Sequence, residues 1–185
     1  MRVSIDPEQL RRAFSVVQGS PAFAESSKLV AGGKRPVEML QAMALRPEVL
    51  QAFAATSEAI YPGGIVDRRV KELIILEASR HNHCQFCTES HISIAKMLGI
   101  ADPAGSPLAL LDRPELMNER ERLAVEYTRA AQRDSNRVPS ELFAQLRQAY
   151  TEPEIVELTA MIGLISMLNL FNNCLQVTYH GEYDG

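Results

Sequence analysis

Apolar residues recur along this chain mostly three or four positions apart, and no stretch sustains the apolar–polar alternation of a half-buried strand. Asp6-Pro7-Glu8 supplies a cap, a first-turn proline and a first-turn acid, which predicts a helix through about Val17. Gly19 to Arg35, with Gly32-Gly33, is predicted to be a loop with room for one helical turn. Val37 to Leu45 is predicted as a short helix. Pro47 to Ile60 is predicted as another, with Val49, Leu50, Phe53, Ala54 and Ile60 at helical spacing, stopped by Tyr61-Pro62-Gly63-Gly64.

Asp67 is predicted to cap a helix over 68–81 whose middle, Leu73 to Ala78, is apolar nearly all round and should be buried. After a break at Asn82-His83, a helix should run from about Cys84 to Leu98 and end at Gly99. A loop over 102–114 contains three prolines. Further helices are predicted over 118–133, 139–150 and from Glu152, capped by Thr151, to about Val177. The fold class is all-α, a helical bundle of roughly seven or eight helices. A single domain over 1–185 is expected, with an N-terminal helical extension over about 1–60 and a core over about 67–100.

With 185 residues and 46% hydrophobic content, the chain is long enough to bury a core of its own. A net charge of −4 without blocks of like charge argues against nucleic acid as a partner. The longest apolar stretch, Leu158 to Phe171, is interrupted by Thr159, Ser166 and Asn169 and falls short of the ~18–20 residues of a spanning helix. No membrane and a cytoplasmic location are expected. Of three cysteines, Cys84 and Cys87 lie close together and Cys174 is remote, a pattern for redox chemistry or metal binding rather than for a disulfide scaffold. Cys174, Met161 and Met167 are expected in the core.

On a helix, Cys84, Cys87 and His91 would share one face, near a positive dipole end that favours a thiolate. His91 could take or pass a proton, and its nearness favours Cys87 as the deprotonated thiol. Glu72 shares its helix face with apolar neighbours, so its carboxylate is expected to be desolvated and to need a partner. A histidine across a helix contact would serve. Glu77, His83 and Phe86 are accessory candidates. Asn169, Asn172 and Asn173 are unusual in an apolar helix and need hydrogen-bond partners if buried.

Lys71-Glu72-Leu73, then Cys84-x-x-Cys87-x-x-x-His91, then Gly99 resembles the core signature of the alkylhydroperoxidase AhpD / carboxymuconolactone decarboxylase family, over about Asp67 to Ile100. Asn169-Leu170-Phe171-Asn172-Asn173 is similar to the last helix of its peroxidase-related members. The resemblance implies an all-α homo-oligomer (dimer, trimer or hexamer) that reduces hydroperoxides without a cofactor or metal. It implies a Cys84/Cys87 dithiol–disulfide cycle, a Glu72–His91 proton relay and re-reduction by an external dithiol, such as a lipoylated or thioredoxin-like protein. Phe86 departs from the pattern, because the best-known members have histidine there. The relay then lacks that group, or His83 or His81 takes part.

Three alternatives stand beside this expectation. His83, Cys84, Cys87 and His91 could make the chain a zinc-binding scaffold, although structural zinc sites usually draw on two separated clusters. The pair could serve a non-enzymatic redox sensor. The chain could also be a decarboxylating lyase of the same family, whose members typically lack the cysteine pair.

Overall fold

In the computed structural model, which describes residues 1–184, ten α-helices and no strand occur among the described residues. They are α1 (Pro7–Phe14), α2 (Ala24–Ala31), α3 (Glu38–Met43), α4 (Pro47–Ala59), α5 (Arg68–His81), α6 (Gln85–Met97), α7 (Pro107–Leu110), α8 (Glu119–Arg133), α9 (Ser140–Ala149) and α10 (Glu152–Leu175). Eight of them have eight residues or more, so the all-α expectation stands. Two short helices were not anticipated. One is α2, and the other is α7, where Ser106 caps a turn that begins at Pro107.

The chain divides into two compact units. Met1–Gly64 with Cys174–Glu182 forms one, and Ile65–Asn173 with the residues from Tyr183 forms the other. In the first, Leu10, Phe14, Val17, Phe23, Val30 and Leu50 are buried, and the rings of Phe23 and Phe53 lie 5.8 Å apart. Gly63 follows the end of α4, where an added Cβ would sit 1.7 Å from the Glu58 carbonyl oxygen, so no larger residue fits.

The second unit is built on α5. Asp67 caps it by accepting from Arg69 N–H, and every residue from Val70 to Ser79 is buried. A helix enclosed on all sides explains its nearly all-round apolar middle. Leu73 and Leu76 pack with Ala95, Ile100, Leu110, Leu111 and Val125. α8 lies along it and begins in a capping box between Asn118 and Glu121.

Three charged side chains are buried within α5, and each meets an opposite charge. Lys71, 1% exposed, reaches Glu157 of α10 at 2.6 Å. Glu72, 0% exposed, accepts from Arg68 and meets His91, both at 2.7 Å. Glu77 accepts from Arg80 and from Arg129 of α8. Glu157 also accepts the backbone N–H groups of Ile65 and Val66, at 2.7 and 3.0 Å, so one carboxylate ties α10 to the start of α5.

α10 departs from three expectations. It has 24 residues with a window hydropathy of 1.6, long and apolar enough by those measures to cross a membrane. Yet one side is polar and spoken for. Glu154 meets Arg120, Glu157 meets Lys71, Thr159 meets Tyr127, Ser166 meets Gln132 and Asn169 meets Ser79. The opposite side leaves Met167 and Cys174 exposed, not in the core. The helix also stops at Leu175, two residues early, where Gln176 takes a positive φ of 52°.

Glu157→Ala removes the partner of a buried ammonium and the acceptor of two backbone N–H groups. It should cost about 3–5 kcal/mol in urea unfolding at unchanged m-value. Glu157→Gln, which keeps an oxygen acceptor, should cost less. Equal losses below about 1 kcal/mol for both would refute the role given to this pair.

Candidate active site

The turn between α5 and α6 places the first cysteine. His83 has a positive φ of 52°, its N–H donates to Arg80 O, and Cys84 N–H donates to Ser79 O at 2.9 Å. This pair of bonds around one left-handed residue is the Schellman termination, with His83 where glycine is usual. His83 is exposed there, as is His81.

Cys84 follows in extended conformation, φ −85° and ψ 98°, as the N-cap of α6. It therefore precedes the helix instead of opening its first turn, as the spacing had suggested. The consequence is chemical. An N-cap side chain lies over the unpaired N–H groups of the first turn, where oxygen caps usually accept and where negative charge is favoured. Cys87 stands in that first turn and His91 one turn further on.

Both thiols are reduced and enclosed, Cys84 at 1% and Cys87 at 3% exposure. They do not titrate alike. The Cys87 thiol hydrogen bond, with the Cys87 backbone N–H and the amides of Asn169 and Asn172, outweighs burial and brings Cys84 down to about 7. Cys87 is pushed up by its bond to Cys84, by burial and by the charge on Cys84. The expectation that Cys87 is the deprotonated thiol is reversed. A neighbouring imidazole had suggested Cys87, whereas donors converge on Cys84.

Glu72 and His91 face one another between α5 and α6, with Oε2 to Nδ1 at 2.7 Å. A carboxylate at Nδ1 holds the N–H on that nitrogen and makes Nε2 the position that exchanges protons. Arg68, one turn before Glu72, holds the other carboxylate oxygen at 2.7 Å. The sequence offered this partner as an i, i+4 pair. Glu77 does not join the group. Five residues from Glu72 on one helix, it faces another way and is held by Arg80 and Arg129. Phe86 is buried between the cysteines.

α10 completes the site from a distance in sequence. Asn172 Nδ2 donates to Cys87 Sγ at 3.2 Å. Asn169 Nδ2 donates to Ser79 Oγ at 3.1 Å, and Asn169 Oδ1 accepts from Asn82 Nδ2 at 3.0 Å. Asn173 Nδ2 donates to Asn82 O at 3.0 Å. These asparagines needed partners if buried, and Ser79 of α5, Asn82 of the turn and Cys87 of α6 supply them. Among the described residues no cluster of three or more His, Cys, Asp or Glu side chains is arranged to hold a metal ion.

Exposed Cys174 should react at once with a bulky disulfide reagent, and the other two thiols only on unfolding. In Cys174→Ser, thiolate absorbance followed against pH should rise in one step near 7, since protonation below that value discharges Cys84. A first step above 9 would contradict the donor arrangement.

The sequence profile of the carboxymuconolactone decarboxylase family matches residues 47–103, from α4 through the cysteine pair to beyond Gly99. Protein YdfG of Bacillus subtilis (strain 168) is 30% identical over 105 residues, 56% of this chain and 71% of YdfG. In fold, the chain is similar to an AhpD-core, peroxidase-related protein from Ralstonia eutropha JMP134, with a TM-score of 0.74 at 18% identity over 98% of this chain and 93% of that one. It is also similar to the debrominase Bmp8, with a TM-score of 0.76 at 18% identity over 99% and 94%. The all-α fold, the matched profile and the homologous core together show that the chain belongs to the AhpD/carboxymuconolactone decarboxylase family.

Proposed function

We propose that this protein is a thiol-dependent peroxidase in which Cys84 and Cys87 cycle between dithiol and disulfide. The observation that carries the reading is a pair of reduced, enclosed thiols of opposite titration, at the tip of a helix that also bears a carboxylate-held imidazole. Such a pair provides a nucleophile and a resolving group together.

The Cys84 thiolate attacks one peroxide oxygen. The O–O bond breaks, an S–O bond forms, and the departing oxygen leaves as alcohol after taking a proton. His91, oriented by Glu72, is the group assigned to deliver that proton. The Cys87 sulfur then attacks the sulfenic acid, forming the Cys84–Cys87 disulfide, and the hydroxyl leaves as water with the Cys87 proton. Two electrons pass from the sulfurs to the peroxide. An external dithiol, on a lipoylated or thioredoxin-like protein, returns them by exchange.

The test is hydroperoxide consumption with a dithiol reductant. Cys84→Ser and Cys87→Ser should each abolish turnover, and Glu72→Gln should lower kcat/KM by about 10²–10⁴-fold. Full turnover by either serine variant would sink the paired mechanism. A single stoichiometric oxidation without turnover would identify a sensor. Turnover of a brominated pyrrole in place of a peroxide would move the reading toward the chemistry named for its fold neighbour, a debrominase solved with 2,3,4-tribromopyrrole in a variant form.

A further inference from the structure

We propose that Arg68 is a positioning residue that keeps His91 a neutral proton acceptor. Its guanidinium meets Glu72 Oε1 at 2.7 Å, while His91 Nδ1 meets Oε2 of the same carboxylate at 2.7 Å, so Glu72 already has its counter-charge when the imidazole reaches it. The inference rests on reading His91 as the proton carrier of the cysteine pair. It adds what sets the charge from which His91 starts.

Arg68, Arg69 and Lys71 open α5, whose first turn has no acid. Positive charge is disfavoured at that end of a helix, and an arginine four residues before a glutamate gains less than the reverse order. Local helix preference therefore gives no reason for an arginine at the first position. Each cation is matched instead by a carboxylate: Arg69 by Glu121 of α8, Lys71 by Glu157 of α10 and Arg68 by Glu72. Glu72 differs from the other two in holding an imidazole as well.

Charge decides the form of that imidazole. A guanidinium keeps its proton throughout the ordinary pH range. The Glu72 side chain is wholly enclosed, and one carboxylate balances one cation. An imidazolium added to it would leave a net positive charge in an enclosed place, a cost that a neutral imidazole avoids. His91 Nδ1–H then donates to Oε2, and Nε2 carries the lone pair that can take a proton. The charged groups of the surrounding elements have partners of their own. Glu89 of α6 accepts from Gln85, Arg129 of α8 meets Glu77 and Asp112, and Asp184 accepts from Ser93. α7 has no ionisable side chain, and Cys87 lies one turn before His91 on α6.

In the proposed cycle this sets the order of proton moves. A cysteine S–H bond breaks, its electrons stay on sulfur and the proton joins His91 Nε2. When the peroxide O–O bond breaks, that proton passes from Nε2 to the departing oxygen and the imidazole is neutral again. The proton given to the peroxide oxygen thus comes from the cysteine pair.

Imidazole nitrogen resonances of the reduced full chain, followed against pH without peroxide, test this, with the His91 signal assigned by its loss in His91→Gln. At neutral pH His91 should show the uncharged Nδ1–H form. Arg68→Met should move its midpoint up by about one unit, a tenfold rise in imidazolium at a fixed pH above it. Arg68→Lys, which keeps the charge, should hold the midpoint near that of the unaltered chain. A merely structural arginine would lower the melting temperature in both variants and leave the midpoint in place. An imidazolium signal at neutral pH in the unaltered chain overturns the proposal and needs no variant to fold. So does an unchanged midpoint in folded Arg68→Met, or a shift in Arg68→Lys as large as in Arg68→Met. If His91 responds as expected and no hydroperoxide is consumed with a dithiol, the function proposed above fails and the role of Arg68 stands.

Discussion

Ionised groups inside an enclosed helix are the constraint on which this structure rests. Leaving one such group without a partner costs several kcal/mol, comparable to a large part of a domain's net stability. α5 contains Lys71, Glu72 and Glu77, and each recruits a different element: Glu157 from α10, His91 from α6, Arg129 from α8. Neutralising the buried charges and assembling the unit are therefore one process. The imidazole of the candidate site is held at Glu72 Oε2, while the Arg68 guanidinium meets the other oxygen of the same carboxylate.

The cysteines are governed by a second constraint, the need to end one helix and begin another within three residues. His83 accepts a left-handed conformation so that α5 can close its last carbonyls, and this sets Cys84 at the cap of α6. A thiol at a cap is a weak acceptor when protonated and a good one when ionised, so the local geometry favours the charged form. The asparagines of α10 sharpen that preference. Helix termination, thiol ionisation and docking of the last helix thus meet within a few residues.

Much of this was legible in the sequence, for physical reasons that also mark where legibility ends. The bounds of α5 follow from Asp67 as cap and from unbroken burial across its middle, and the cysteine–histidine spacing follows from helical geometry. α2 was missed because Ala24–Ala31 is short, contains two serines and is bounded by Gly32-Gly33, so its own preferences barely exceed those of a loop. The exposed faces of Met167 and Cys174 were missed because the polar side of α10 is the one turned toward its neighbours, so the usual rule that apolar faces point inward misleads there. The lowering of Cys84 comes first from the Cys87 thiol and backbone N–H, which the extended cap conformation of Cys84 brings to bear, and then from asparagines more than eighty residues away that no local pattern encodes.

The absence of charge in α10 beyond Glu157 has one more consequence. The leading influences on the Cys84 sulfur are hydrogen bonds and burial, with no ammonium or guanidinium among them. Mobile ions weaken the attraction between full charges over a Debye length of about 8–10 Å at ordinary ionic strength, but they screen short, enclosed dipole contacts far less. A sulfur poised in this way keeps its reactivity in dilute buffer and in brine alike, so its readiness is fixed by the fold and not by the electrolyte around it.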